Sequence, residues 1–145
     1  MAKSKKKPKW NWNSNIRGAL RRMFARSPVV REVMQEGRRE SPRYNKDGSV
    51  SKRNKVEYQC QVCGGWFPSK FMSVDHIEPV ISPEHGFEDW NTFIERLCCD
   101  KSNLQRICSY TKKHEDSTHE FGRYSCHYLK TQQEARILRE LKKKV

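Results

Sequence analysis

The apolar positions of the chain fall into short runs whose spacing changes along its length. Ile16, Ala19, Leu20, Met23 and Phe24 recur at helical intervals, with Arg17, Arg21, Arg22 and Arg26 falling largely elsewhere on the same helix. Ser14 or Asn15 is the expected cap of that helix. Ser27-Pro28 predicts a second helix, with serine at the N-cap and proline at the first helical position. Val29, Val30, Val33 and Met34 would be its apolar face, and Gly37 its stop. Residues 41–55 are polar and rich in turn formers, with Asp47-Gly48 the clearest signal, and read as a linker. A strand over 56–58 runs into Cys60, and a strand over 71–74 delivers Asp75 and His76. Trp90, Phe93, Ile94 and Leu97 mark the core-facing stripe of a helix over 87–98. A further short strand over 103–107 closes on Cys108. The 17 residues between Cys108 and Cys126 carry little apolar material and are expected as a surface loop. Leu129, Ala135, Ile137, Leu138 and Leu141 place a final helix over 126–144. Its terminal Lys142-Lys143-Lys144 suits the negative end of the helix dipole without further explanation.

Charge changes this picture more than composition does. At 145 residues, 34% hydrophobic and 32% charged, the chain suits one modest domain whose core is thin enough to benefit from a bound structural metal. Residues 1–55 carry 17 lysines and arginines against four acids, whereas the remaining 90 residues carry 13 of each sign. The whole formal excess of +13 therefore sits in the first third. That is the pattern of a basic arm (1–55, with two short helices) on a neutral working domain (56–145), and its simplest partner is nucleic acid. Lys5, Lys6, Lys7, Lys9, Arg17, Arg21, Arg22 and Arg26 are the candidate phosphate contacts. Trp10 and Trp12, beside them, suit either stacking on bases or pinning the arm to the domain. No apolar run approaches membrane-spanning length, and no apolar segment follows the charged N-terminus. A membrane partner is thus not expected, and a cytoplasmic location is. In a reducing compartment six cysteines favour metal ligation over disulfides.

The chemistry-bearing residues cluster in four places. Cys60-Gln61-Val62-Cys63 sets two thiols three positions apart, and Gly64-Gly65 permits the tight turn that lets both grip one tetrahedral ion. Val74-Asp75-His76-Ile77-Glu78-Pro79 pairs a carboxylate with an imidazole in an apolar setting. Asn103-Leu104-Gln105 leads to Cys108. Cys126-His127 is followed by Lys130-Thr131. Adjacent Cys98 and Cys99 do not suit one ion, so at least one is expected in the core, with Cys99 a reserve ligand.

Taken in order, these pieces resemble the HNH endonucleases, particularly the small phage-type members with a zinc knuckle. In that family a CxxC pair precedes an Asp-His-Ile-x-Pro strand, a helix follows, then Asn-Leu-Gln, a third cysteine and a final Cys-His-x-x-Lys-Thr. The resemblance covers residues 57–131. One departure is the spacing between the third and fourth cysteines, usually two residues. An insertion after Cys108 restores the match at Cys126-His127 and again at Lys130-Thr131, whereas compact alignment would put Thr111 and Lys112 there. His114 and His119 are the rivals of His127.

The resemblance implies an α+β fold: a small ββα-metal core with a zinc knuckle, preceded by the basic helical arm and ended by the C-terminal helix. It implies that Cys60, Cys63, Cys108 and Cys126 hold structural zinc. It implies that Asp75 and His127 bind a catalytic magnesium or manganese ion, that His76 is the general base, and that Asn103 holds the loop or ring of that base. Elementary chemistry agrees with these roles. Neutral imidazole is the side chain best matched to activating water near pH 7, and a hard cation with open positions neutralises charge on the phosphate. Asp75 and His76 are neighbours, so a bulge or strand end must bring both to one side. The expected function is metal-dependent hydrolysis or nicking of DNA, leaving 5′-phosphate and 3′-hydroxyl ends. The rival is a catalytically silent zinc-ribbon nucleic-acid-binding protein. A place in a phage packaging or terminase assembly is compatible with the first.

Overall fold

A computed structural model describes residues 9–110 and 124–145. Helix α1 is Trp12–Ala25, and α2 is Pro28–Glu36. Strands β1 (Arg38–Ser41), β2 (Lys55–Gln59) and β3 (Trp66–Phe67) form one antiparallel sheet in that order. Strands β4 (Met72–His76) and β5 (Leu104–Cys108) form a second, two-stranded antiparallel sheet, with α3 (Trp90–Leu97) between them in sequence. Helix α4 (Cys126–Lys144) closes the chain. The architecture is α+β, with small sheets and four helices among the described residues.

Helix α1 starts earlier than Ser14 or Asn15 would place it. Asn11 is the cap, its side-chain oxygen accepting from the Ser14 amide at 3.0 Å. The apolar periodicity dates only from Ile16, so pattern alone misses the first turn. Helix α2 begins at Pro28 after Ser27 as expected, although the serine side chain makes no capping bond. The 41–55 stretch is not a linker between two bodies. It is the connection of a hairpin, because β1 and β2 pair from Arg38↔Tyr58 to Ser41↔Lys55. Asp47-Gly48 does turn the chain: Gly48 has φ of 84° and donates to the Asn45 carbonyl at 3.0 Å.

Two cores meet at the β4–β5 sheet. Phe24, Val33, Val80, Phe93, Leu97 and Leu104 make the first, and Cys60, Phe67, Met72, Ile107 and Cys108 the second. The apolar faces of α1 and α2 supply Phe24 and Val33, so the basic arm's helices are part of the fold. Arg106, buried on β5, ties the parts together. Its guanidinium donates to the Val33 carbonyl at 2.7 Å and the Gln59 carbonyl at 3.0 Å, and its amide donates to the Gln61 side chain at 2.7 Å. Gly37 is the residue that lets it pass, since a Cβ there would lie 2.0 Å from Arg106 Nε.

Candidate metal centre and cleft

The thiol group draws on widely separated parts of the chain. Cys60 and Cys63 sit in the turn between β2 and β3, Cys108 ends β5, and Cys126 opens α4. All four sulfurs lie within 4.8 Å of one another, a group that can hold one metal ion. An ideal zinc tetrahedron with about 2.3 Å bonds has edges of about 3.8 Å, so the donor set needs only slight contraction to fit. Backbone amides already face the sulfurs: Cys108 N donates to Cys60 Sγ at 3.3 Å, and Cys126 N to Cys108 Sγ at 3.2 Å. Such bonds favour thiolate. The Cys108 thiol, donating to Cys60, holds the Cys60 pKa well below the usual thiol range and its own well above. Burial pushes Cys126 up as well. Four thiols this close cannot all ionise without a cation among them, which is how such a cluster selects one. Cys98 is exposed and Cys99 packs against the first core. Neither joins the group, so the reserve role for Cys99 falls away.

Asp75 and His76 are the last two residues of β4, still in regular register opposite Gln105 and Leu104, so their side chains leave opposite faces of the ladder: Asp75 towards Lys130 of α4 and His76 towards Phe24 and Leu97. Both line a cleft of about 450 Å³, together with Arg21 of α1 and His127, the second residue of α4. His76 Nε2 lies 2.8 Å from the carbonyl of Leu97, the last residue of α3. A helix leaves its final carbonyls unpaired, and this one takes the imidazole instead. A carbonyl only accepts, so Nε2 carries the proton and Nδ1 is the ring's lone-pair nitrogen. Phe24 packs on the same ring, with centroids 5.1 Å apart. Asn103 fixes the chain beyond β4. Its side-chain oxygen accepts from the Glu78 amide at 2.9 Å, and its carbonyl accepts from Ile77 at 2.8 Å. Of the two expected targets, loop and ring, Asn103 holds the loop.

Asp75 is bonded through one oxygen. Lys130 Nζ sits 2.5 Å from Oδ2, and Gln105, its partner across the β4–β5 ladder, donates to the same atom at 3.4 Å. The sequence marks Lys130 as part of the Cys126-His127 motif but assigns it no role, although three residues after His127 it shares that histidine's helical face. The tie from His76 to Leu97 had no comparable signal, because a backbone acceptor has no residue type.

Lys9, Arg22 and Arg26 are exposed. Arg17 stacks over Phe87 and Arg21 over Phe93, each 5.6 Å from the ring centroid, which leaves their charged ends beside the cleft-bearing core. Trp10 and Trp12 stand edge to face, 63% and 71% exposed, so they do not pin the arm. Lys5, Lys6, Lys7, His114 and His119 lie outside the described residues. No helix among the described residues is long and apolar enough to cross a membrane. Compared with protein-family models, curated proteins and solved structures, the chain matches none.

Proposed function

We propose that the chain is a metal-dependent DNA endonuclease of the HNH type, with Cys60, Cys63, Cys108 and Cys126 holding structural zinc. The observation that carries this reading is the meeting of Asp75, His76 and His127 in one cleft, with His76 tethered through Nε2. Binding nucleic acid needs no such tether. A base does, because it must present a fixed lone pair to a water. One carboxylate and one imidazole are hard enough donors for magnesium or manganese, and they leave most coordination positions open. When bound, a divalent ion there supplies charge neutralisation at the phosphate and at the departing 3′ oxygen. The chain's own residues do the rest. His76 Nδ1 accepts a proton from the attacking water, and Leu97 holds the ring in the tautomer that can. Asn103 keeps the 77–78 loop from closing over the imidazole. Arg21 lines the cleft opposite, placed to meet a phosphate oxygen. Water attack at phosphorus with departure of the 3′ oxygen leaves a 5′-phosphate and a 3′-hydroxyl.

A silent zinc-ribbon reading has one observation of its own: the Lys130 ammonium already neutralises Asp75. Two substitutions decide between them. His76→Ala should cost about 10²–10⁴ in cleavage rate at any metal concentration, while DNA and metal still bind. His127→Ala should lose activity that returns in part at high manganese, because occupancy then limits. Wild-type protein that binds DNA but cleaves under no divalent metal would leave only the binding protein, and two variants cleaving like the wild type would place the base and the metal ligand elsewhere.

A further inference from the structure

Three oxygens at the end of β4 converge on one ammonium. Lys130 Nζ lies 2.5 Å from Asp75 Oδ2 and 3.3 Å from the Ile77 carbonyl, and it also bonds the His76 carbonyl. The side chains of Lys130 and Asp75 are 24% and 21% exposed, so this is not a surface pair swinging in solvent. One carboxylate and two carbonyls make a nest for a hard cation. The chain fills that nest with its own lysine. A second acceptor stands close by. Glu134, one helical turn further along α4, has a carboxylate oxygen 4.0 Å from the same Nζ. Lys130 and Glu134 both line a neighbouring cleft of about 650 Å³, so the ammonium has open space on that side.

We propose that Lys130 is a place-holder cation. It sits on Asp75 while no divalent ion is bound, and moves to Glu134 when one takes the carboxylate. This rests on reading Asp75 and His127 as ligands of a divalent ion. Lysine at Asp75 and a metal at Asp75 are then competing states, and a ligand's apparent affinity falls by the fraction of molecules held in the competing state. Glu134 lowers that penalty by giving the displaced charge a partner. The device keeps an empty site from holding an unpaired carboxylate beside two backbone carbonyls, at the expense of metal affinity.

The test is manganese binding, read from the electron paramagnetic resonance signal of the free aqueous ion, on zinc-loaded full-length protein. Lys130→Met should bind manganese about five- to tenfold more tightly than the wild type, the scale of one partly buried ion pair. Lys130→Gln should do the same while still donating to the carbonyls, which guards against collapse of the loop. A merely structural lysine would give the opposite sign, since its loss would loosen the site. Glu134→Gln should weaken binding several-fold in the wild type and have no effect in the Lys130→Met background, because Glu134 acts only by receiving the lysine. The proposal is overturned if neither Lys130 variant binds more tightly, or if Glu134→Gln weakens binding equally in both backgrounds. If His127→Ala binds manganese as well as the wild type, or no variant binds it, the catalytic metal site itself is wrong and the proposal goes with it.

Discussion

Single atoms set the two tightest constraints in this molecule. The first is Gly37, whose missing Cβ is the space that Arg106 occupies on its way to the Val33 and Gln59 carbonyls. Gly37→Ala should therefore destabilise the protein by about 1–3 kcal/mol, the usual range for forcing extra atoms into a packed interior. For a chain of this size that is a fall of several degrees in Tm, measurable by thermal denaturation. A variant as stable as the wild type would mean that Arg106 has another route. The second constraint is the Leu97 carbonyl at His76. The residues Asp75, His76, Asn103 and His127 were singled out as a set by the resemblance, His127 through the insertion that restores the match after Cys108. Their partners were not. Leu97 acts through its backbone, Gly37 looked like nothing more than a helix stop, and Arg106 was hidden among many arginines. Burial of a charged residue is a tertiary fact that its immediate sequence does not announce.

At the scale of elements, α1 has two duties. One face carries Phe24 into the first core, and another carries Arg22 and Arg26 to solvent. Removing residues 1–26 would thus remove core as well as charge, and with it the fold, since loss of a buried phenylalanine alone costs about 3–5 kcal/mol. Removing only residues 1–9 separates the two duties. That truncation deletes five lysines and, beyond Met1, no large apolar residue. It should weaken DNA binding and leave Tm unchanged. The slope of log K against log salt should fall by about 0.9 for each phosphate that is no longer neutralised. An unaltered slope would assign the lysines to something other than DNA. Helices α2, α3 and α4 and strands β4 and β5 lie close to where apolar spacing put them, because each carries a periodic face. Strand β1 reads Arg-Arg-Glu-Ser and is mostly exposed, so it has no apolar alternation to find. Strand β3 is two residues long. Both are held by pairing with β2, a neighbour that local sequence does not specify.

For the whole molecule, the four-cysteine group joins the β2–β3 turn, the end of β5 and the start of α4. Helix α4 has no buried residue of its own, yet it carries His127 to the cleft and Lys130 to Asp75. Its attachment runs through Cys126, its packing near β5 and the bonds of Lys130 to the end of β4. Four thiolates on zinc can contribute on the order of 10 kcal/mol to a small domain. Removing the metal with a strong chelator should therefore lower Tm and abolish cleavage together. Zinc should restore Tm, zinc together with magnesium should restore cleavage as well, and magnesium alone should restore neither. Cys126→Ser should do the same by freeing the helix. Purified folded protein with no tightly held zinc would refute this assignment. The long separation of Cys108 from Cys126 in sequence, with two histidines between, is why the fourth ligand could be placed only by matching a pattern. In space, distance brings Cys126 into the group.

Hydrolysis is the central claim, and supercoiled plasmid measures it directly. With zinc-loaded protein and magnesium or manganese, the plasmid should convert to nicked or linear forms whose ends carry 5′-phosphate and can be religated. Chelation of the divalent ion should stop the conversion while gel-shift binding persists. Plasmid that is bound and retarded but remains supercoiled under every divalent metal would contradict the claim, and leave a zinc-stapled protein that holds DNA without cutting it.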